Sequence, residues 1–348
     1  MSMFWRGKRV FLTGHTGFKG AWLSLWLTYL GAEVTGYALA PPTSPSLYDL
    51  TRLDQRIHSH IADIRDLDAL TRAMAVSGPD IAVHMAAQSL VRPSYTDPVS
   101  TYETNIMGTV HFLEGVRRTP GIQAALVVTS DKCYQNDGEI HTEADPMGGR
   151  DPYSSSKGCA ELITAAYRDS FFDGIPVATA RAGNVIGGGD WGADRLLPDC
   201  IRALEKGEPI ALRNPDSVRP WQHVLDCLGG YLLLMKRLYE NGPACAGAYN
   251  FGPGGEPHTA QWMAQCVCAA WGQGATCMVY GAEDAPPEAP ALRLDSGKAR
   301  RELHWKPVLS VEQAVDWTVD WYRRYKTADP AMLCEEQIRA YMEERHGG

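Results

Sequence analysis

The chain has 348 residues, of which 45% are hydrophobic and 21% charged, a composition typical of a globular protein with a sizeable core. The formal net charge is −8 and lysine and arginine form no cluster, which argues against a nucleic-acid partner. No segment is apolar for long enough to span a membrane and no signal peptide is recognisable, so we expect a soluble, cytoplasmic protein. The 9 cysteines are scattered without a C-x-x-C pair, so neither a disulfide framework nor a metal site is expected.

Strand-like and helical segments alternate through the first half of the chain. The apolar runs typical of buried strands are Arg9–Thr13, Glu33–Tyr37, Ile57–Ile61, Ile81–His84, Ala124–Thr129 and Val177–Arg181. The amphipathic segments between them are Ala21–Leu30, Leu67–Val76, Pro98–Arg117 and Pro152–Phe172. Because this alternation indicates βαβ units, the expected fold class is α/β, a Rossmann-type doubly wound parallel sheet with a smaller, interleaved C-terminal substrate lobe.

The pattern changes after Arg181. Glycine-rich and polar segments follow, a sheet-like segment returns at Gly247–Phe251, and helical segments come last at Thr259–Trp271 and Val311–Tyr325. The chain is therefore expected to leave the sheet, return to it and leave again, with a substrate cleft between two units. The units that we predict are a dinucleotide-binding Rossmann domain at residues 1–186, with a return segment at about 222–252, and a substrate-binding lobe at residues 187–221 and 253–348.

A glycine-rich turn joins the first predicted strand to the first predicted helix. Gly14, Gly17 and Gly20 have the spacing G-x-x-G-x-x-G, which permits a tight turn and a close approach of the backbone to a ligand. The following helix presents free N–H groups and its dipole to a pyrophosphate. A glycine-rich turn without a ligand is the alternative. The dinucleotide site that we predict includes the intervening residues His15, Thr16, Phe18 and Lys19.

The rest of the dinucleotide would lie along the ends of the following strands. The acidic residue expected after the second strand, which would bind the adenosine ribose, is missing, and no arginine replaces it. The missing cation favours NAD over NADP as the cofactor. Asp63 could flank the adenine or could equally cap a helix. The further cofactor-binding residues that we predict are Asp63, Ile64, Ala86, Ala87, Gln88 and Asn105.

Tyr153 and Lys157 form the pattern Y-x-x-x-K at the start of a predicted helix, with Asp151 at its N-cap and Pro152 in its first turn. The spacing of four places both side chains on one helical face. A lysine ammonium lowers the pKa of a nearby phenol, so Tyr153 is expected to take the proton of a hydroxyl while a hydride leaves the same carbon. A solvated helix pair is the alternative, but the preceding dinucleotide motif favours catalysis and contact of both residues with the cofactor.

Ser130, Asp131 and Lys132 follow the fifth predicted strand. Ligands meet open α/β sheets at the carboxyl ends of the strands, so these side chains should face the reacting group. Ser130 would hydrogen-bond the same hydroxyl as Tyr153. An Asp-Lys pair that only caps the strand is the alternative. The catalytic residues that we predict are Ser130, Asp131, Lys132, Tyr153 and Lys157.

Taken together, these motifs resemble the CDP-glucose 4,6-dehydratase family of extended short-chain dehydrogenases. Three further segments carry the resemblance, Arg181–Trp191, Arg195–Asp199 and Arg213–Val224, and it is weakest after about Asp295. It implies a tightly bound NAD, CDP-glucose as the substrate, and no net redox change. A hydride leaves sugar C4, water is eliminated across C5 and C6, and the hydride returns to C6.

The family scheme also assigns roles. Tyr153 is the base for the C4 hydroxyl, assisted by Ser130 and Lys157, and Asp131 protonates the departing C6 hydroxyl. Lys132 stands where the dTDP-glucose and GDP-mannose types have a glutamate as the C5 base. Adjacent opposite charges favour the ionised forms of Asp131 and Lys132, whereas an acid must be protonated and a base neutral. Lys132 would either take the C5 proton after desolvation, or stay cationic and stabilise the enolate oxygen while another group takes that proton.

The nucleotide diphosphate requires hydrogen-bond donors. Arginine suits bidentate phosphate contacts better than lysine. The sequence offers no readable hydrogen-bond pattern for cytosine, so CDP-glucose as the substrate depends on the resemblance alone. The substrate-binding residues that we predict are Asn184, Arg195, Arg219 and Arg293.

Other functions and assemblies stay open. Another nucleotide-sugar 4,6-dehydratase, a nucleotide-sugar 4-epimerase and a non-catalytic NAD-sensing binding module share the fold. An epimerase has no use for an acid beside C6, and a sensing module would be expected to lose Tyr153, Lys157 or the glycine-rich turn.

The segments Pro98–Arg117 and Pro152–Phe172 would lie side by side, and in this superfamily such helices often form a four-helix contact, so the resemblance implies a homodimer or a dimer of dimers. It also implies deoxysugar synthesis for polysaccharides such as the lipopolysaccharide O-antigen.

Overall fold

Seven parallel strands form the central sheet of this computed structural model, which describes residues 2–135, 138–280 and 292–347. In space their order is β7, β6, β5, β4, β1, β2 and β3, the doubly wound arrangement in which the chain builds outward on both sides of β1. The predicted fold class is thereby confirmed. In chain order the strands are β1 (Arg9–Thr13), β2 (Glu33–Ala38), β3 (His58–Ile61), β4 (Ile81–His84), β5 (Ala124–Val128), β6 (Val177–Arg181) and β7 (Gly247–Asn250).

Helices cover both faces of the sheet and form most of the C-terminal part of the chain. The longer ones are α1 (Phe18–Tyr29), α2 (Leu67–Ser77), α3 (Gly108–Arg118), α4 (Pro152–Phe171), α5 (Leu196–Glu205), α6 (Val224–Asn241), α7 (Ala260–Trp271), α8 (Val311–Arg324) and α9 (Pro330–Gly347). Short helices lie at Ser2–Trp5, Leu47–Leu50, Val91–Thr96, Pro98–Tyr102 and Gly297–Leu303, and 3₁₀ turns at Leu53–Gln55, Asp131–Cys133 and Gly242–Cys245. Two-residue or three-residue strands lie at Ile140–His141, Val185–Ile186, Ile210–Leu212, Val218–Arg219, Gln222–His223, His258–Thr259, Cys277–Val279 and Arg293–Leu294.

Alternate residues of each strand point to opposite faces of the sheet, and each face has its own core. In β1, Val10 and Leu12 belong to a cluster that includes Trp22 of α1 and Leu228 of α6. Phe11, between them, belongs to a second cluster with side chains of α2 and α3. The sheet is therefore buried on both sides, as its nearly continuous apolar strands require.

Three local expectations can be compared with the structure. Asp151 caps α4, because its carboxylate accepts from the Ser154 N–H at 2.9 Å, as predicted. The cap of α2 is Asp66, so the alternative role of Asp63 as a helix cap was wrong; the Asp63 carboxylate instead accepts from the Arg65 backbone and guanidinium. The segment predicted as one helix at Pro98–Arg117 is interrupted by a π-helical turn at Glu103–Met107.

The chain leaves the sheet after β6 and returns as β7, which pairs in parallel with β6 through Gly247 and Ala178. The division into two units stays a prediction, and residues 1, 136, 137, 281–291 and 348 of its spans lie outside the described residues. Across the described parts of the chain, no helix has the length and apolar character that crossing a bilayer requires.

Asp226 of α6 fastens the C-terminal segment to the Rossmann core. Its buried carboxylate accepts from the Val308 N–H at 2.7 Å, the Leu309 N–H at 3.4 Å and the Tyr341 hydroxyl at 3.0 Å. Burial raises the pKa of Asp226 to about 6. These contacts compensate the cost of placing a carboxyl group in the interior.

We expect Asp226→Ala to lower the free energy of unfolding by about 3 kcal/mol, because it leaves buried donors without an acceptor. Urea unfolding followed by circular dichroism measures the change. Asp316→Ala, at an exposed position of α8, is the matched control and should change stability by less than about 0.5 kcal/mol. Equal effects of the two substitutions would contradict the anchoring role of Asp226.

Candidate active site

The carboxyl ends of four neighbouring strands meet at one edge of the sheet. Because β6, β5, β4 and β1 are adjacent and parallel, the segments that follow them lie next to one another. They contain the glycine-rich turn after β1, residues 86–88 after β4, Ser130 after β5 and Asn184 after β6. The structure thus brings most of the predicted site residues to a single region.

The glycine-rich turn fits a pyrophosphate group. Gly14 has φ +81°, and a Cβ atom there would lie 2.7 Å from the Ala86 nitrogen, so only glycine lets the turn pass so close to the segment after β4. Gly17 begins α1 without a side-chain cap. The first N–H groups of α1 are therefore available to an anionic ligand.

The side chains between these glycines mainly support the turn. His15 is buried with its Nε2 atom 2.7 Å from Ser59 Oγ, and burial lowers the pKa of His15 to about 4. The Thr16 hydroxyl donates to the Leu39 carbonyl at 2.9 Å. The Phe18 ring packs near Gly187. The backbone of the turn, more than these side chains, is left to contact a cofactor.

Lys19 lies near the residues predicted to be catalytic. Its Nζ atom donates to the Tyr231 hydroxyl at 2.9 Å and lies 5.0 Å from the centre of that ring. Burial lowers the pKa of Lys19, and among the smaller influences Arg195 lowers it and Asp131 raises it. Lys19 therefore lies close enough to Asp131 and Arg195 for their charges to influence it.

Asn105 connects the segment after β4 to α4. Its carboxamide accepts from the Gln88 N–H at 2.8 Å and donates to the Gln88 carbonyl and the Ser156 hydroxyl, both at 2.9 Å. Asn105 lies within the π-helical turn that interrupts the predicted helix, and the wider turn accommodates this inward contact. The remaining residues predicted for the cofactor are Asp63, ion-paired with Arg65 at 2.7 Å, Ile64 in the core, and the half-buried Ala86 and Ala87 beside Gly14.

Tyr153 and Lys157 lie one turn apart on α4 and are both buried. Lys157 Nζ donates to the Val128 carbonyl at the end of β5, at 3.4 Å. Burial raises the pKa of Tyr153 to about 12, while the Ser130 hydrogen bond and the Arg195 charge act in the opposite direction. The expected lowering of this pKa by Lys157 was wrong for the ligand-free protein, because burial of the phenol dominates. Burial and the charge of Lys19 lower the pKa of Lys157 to about 8.

Asp131 is enclosed by the loops after β5 and β6. Its carboxylate accepts from Ser130 Oγ at 2.8 Å and from Asn184 Nδ2 at 3.3 Å. A Cβ atom at residue 183 would lie 2.0 Å from Asp131 Oδ2, so this position of the carboxylate requires Gly183. Sequence inspection had not selected Gly183.

Lys132 is half-buried, and within the parts of the chain that the structure describes the Asp131 carboxylate hydrogen-bonds Ser130 and Asn184 and not Lys132. The mutual influence of these adjacent charges stays a prediction. The two residues lie in a 3₁₀ turn, which rotates successive side chains by about 120° and so points them in different directions.

The four residues predicted for the substrate divide into two groups. Asn184 contacts Asp131, and Arg195 pairs with Asp190 at 2.9 Å while its charge lowers the pKa of Tyr153. Arg219 and Arg293 lie in short strands beside His258–Thr259 and Ile140–His141. Asn184 and Arg195 therefore lie close to Asp131 and Tyr153, and the substrate-binding roles of all four residues stay predictions.

Sequence reasoning also missed a buried ion pair beneath the site. Glu161 and Arg181 are joined at 2.7 Å, with side-chain exposures of only 4% and 5%. One pattern could have indicated Glu161, since it follows Lys157 by four residues and so continues the face of Tyr153 and Lys157.

Comparison with known proteins gives the family. A family model described as GDP-mannose 4,6 dehydratase matches residues 11–318. The CDP-glucose 4,6-dehydratase of Salmonella typhimurium is 47% identical over 350 aligned residues, which cover 97% of each chain. The chain belongs to the CDP-glucose 4,6-dehydratase family. A dTDP-glucose 4,6-dehydratase of Xanthomonas campestris is more distant in this family group, at 28% identity over 91% of this chain and 93% of its own length.

Solved structures agree with this membership. A dTDP-glucose 4,6-dehydratase from Streptomyces venezuelae with NAD bound has a TM-score of 0.77 and 26% identity, over 90% of this chain and 97% of that one. The UDP-glucose 4-epimerase of Thermus thermophilus in complex with NAD has a TM-score of 0.78 and 25% identity, over 90% and 99%. Dehydratases and epimerases share this fold, so the fold alone does not separate the two activities. The 47% identity to a CDP-glucose 4,6-dehydratase places the chain in a family of hydro-lyases and confirms the resemblance.

The lowered pKa of Lys157 predicts a pH dependence of stability. Between the folded pKa of about 8 and the ordinary pKa of 10.5, the unfolded chain binds more protons than the folded one. The free energy of unfolding therefore rises with pH across this window, and the gain is lost as the pH falls to the folded pKa of about 8. Relative to Lys157→Met, the wild-type protein should gain on the order of 3 kcal/mol across this window. Urea unfolding of both proteins at several pH values measures the difference. If the difference in free energy of unfolding between the two proteins does not change with pH, the pKa of Lys157 is not lowered in the folded protein.

Proposed function

We propose that the chain converts CDP-glucose to CDP-4-dehydro-6-deoxyglucose and water, with NAD as its bound cofactor. One observation supports dehydration as the reaction. Asp131 is buried beside Tyr153 and close enough for its charge to raise the pKa of that phenol. The site therefore combines a base for a C4 hydroxyl with an acid for a C6 hydroxyl, whereas exchange of configuration at C4 requires only the first.

Tyr153 would take the proton of the C4 hydroxyl. In the ligand-free protein its phenol is protonated, because burial raises the pKa to about 12. The Ser130 hydrogen bond and the charge of Arg195 lower this pKa and so favour the phenolate. Ser130, hydrogen-bonded to Asp131, would orient the same hydroxyl. NAD would accept the C4 hydride and later return it to C6, with a proton added back at C5.

Asp131 would act in the elimination. Its proton would go to the C6 oxygen as the C6–O bond breaks, so that water leaves, while the C5 proton is removed and a C5–C6 double bond forms. Lys132 would either remove the C5 proton or stabilise the enolate oxygen at C4. Both roles remain compatible with a half-buried lysine that is not paired with Asp131.

The choice of cofactor and nucleotide rests on different observations. Residues 39–46 after β2 contain no lysine or arginine, which supports NAD because a 2′-phosphate would need a cation there. The glycine-rich turn and the N-terminus of α1 would hold the pyrophosphate. Support for CDP comes from the Salmonella relative, and Asn184, Arg195, Arg219 and Arg293 remain the residues proposed to bind the nucleotide sugar.

A panel of nucleotide sugars tests the substrate assignment. With NAD present, CDP-glucose should give a 4-keto-6-deoxy product detected by NMR, at least about tenfold faster than dTDP-, UDP- or GDP-linked hexoses. Tyr153→Phe should abolish product formation, because the base is lost while the ring still fills its site. Faster turnover of another nucleotide sugar would overturn the CDP assignment, and a C4-epimerised product would overturn dehydration.

We also propose a homodimer. Large apolar side chains are exposed on the neighbouring helices at Pro98–Tyr102 and α4, including Val99 at 65% and Leu162 at 59%. Tyr102 and Ser155 join these helices by a hydrogen bond of 2.9 Å. Exposed apolar side chains on adjacent helices favour an isologous contact with a second copy.

Light scattering after gel filtration tests this assembly. The wild-type protein should have at least twice the protomer mass of 38.2 kDa, whereas Val99→Asp combined with Leu162→Asp should give the monomer, since buried carboxylates at an interface are costly. Val76→Asp is the matched control, because Val76 is 89% exposed on α2. A wild-type monomer would contradict the proposal.

A further inference from the structure

The catalytic loop, Ser130–Lys132, is held at both ends by one buried ion pair. Glu161 of α4 accepts a hydrogen bond from the hydroxyl of Thr129, the residue just before the loop. Arg181 at the end of β6 donates to the Tyr134 hydroxyl, shortly after the loop, at 2.6 Å. Glu161 and Arg181 are themselves joined at 2.7 Å. The loop is thereby fixed to α4 and β6 at once.

The network continues on both sides of the pair. Thr179 donates to Glu161 at 2.7 Å, and the Arg181 guanidinium lies 4.9 Å from the centre of the Tyr134 ring. The Tyr134 hydroxyl in turn donates to Asn250 Oδ1 of β7 at 2.7 Å. Burying two charges is costly unless their hydrogen bonds are satisfied, and such pairs often serve geometric specificity more than stability.

The same ion pair also holds the segment after β6, which encloses Asp131 from the other side. Arg181 ends β6, and Gly183 and Asn184 follow it after a single residue, Ala182. Gly183 packs against the Asp131 carboxylate and Asn184 donates to it. A fixed Arg181 therefore fixes both the segment that carries Asp131 and the segment that encloses its carboxyl group.

We propose that Glu161 and Arg181 are positioning residues for the elimination step, holding the Asp131 carboxyl group where it reaches the C6 oxygen. This inference rests on the proposed dehydration. Tyr153 is carried by α4, and of its surroundings only the hydrogen bond with Ser130 comes from the loop. Loosening the loop should therefore slow the loss of water more than C4 oxidation.

Two variants keep the Glu161–Arg181 ion pair, and each removes one hydrogen bond between that pair and the segment around the catalytic loop. Tyr134→Phe deletes the hydroxyl that Arg181 holds, and Thr129→Val deletes the hydroxyl that Glu161 holds. Tyr249→Phe is the matched control, because Tyr249 is equally buried and its hydroxyl donates to Glu302 at 2.8 Å, outside this network. Each variant is compared with wild type in single turnovers with CDP-glucose and NAD.

For Tyr134→Phe and Thr129→Val we expect product formation to fall by about tenfold to a hundredfold, and the absorbance of enzyme-bound reduced cofactor to accumulate before product appears. Tyr249→Phe should show neither effect. Normal turnover in both network variants would overturn the inference, and so would slow turnover without reduced cofactor, since C4 oxidation itself would then be impaired. If the wild-type protein forms no product from CDP-glucose, both the proposed function and this inference are overturned. If the wild-type protein is active and the variants give either contradicting result, only this inference is overturned.

Discussion

The side-by-side arrangement of four parallel strands determines where most of the proposed catalytic groups lie. Because β6, β5, β4 and β1 end at the same edge, the glycine-rich turn, Ser130, Asp131 and Asn184 meet there although they are far apart in sequence. The α4 helix then brings Tyr153 and Lys157 against the end of β5. The position of the acid relative to the base follows from strand order, and the chemistry that we propose depends on it.

Burial gives this site its electrostatic character. It raises the pKa of Tyr153 and lowers that of Lys157, so the ligand-free protein disfavours the charged form of both groups. Lys19 and Arg195 add positive charge around them. Negative charge that develops on an oxygen of the substrate would meet these cations in a site that excludes much of the water, where electrostatic stabilisation is most effective. The base is therefore expected to become active only when substrate and cofactor complete the site.

Local sequence was sufficient to predict the sheet, the glycine-rich turn, the helix that carries Tyr153 and the Asp151 cap, because each depends on short-range spacing and backbone preference. It failed where burial or distant contacts decide. The pKa of Tyr153 shifts upward because the phenol is enclosed, and Asp131 pairs with Ser130 and Asn184 instead of Lys132. Arg181 was taken only as part of a family motif, since its partners Glu161 and Tyr134 are separated from it by long stretches of chain.

Dehydration of this kind requires that the hydride removed from C4 returns to C6 of the same molecule, and a deuterium atom at C4 makes this transfer visible. CDP-glucose labelled with deuterium at C4 would be incubated with the protein and NAD in ordinary water, and the product analysed by NMR and mass spectrometry. We expect a 4-keto-6-deoxy product in which the deuterium has moved to C6. Deuterium retained at C4, or lost to the solvent or to free cofactor, would contradict an internal return of the hydride.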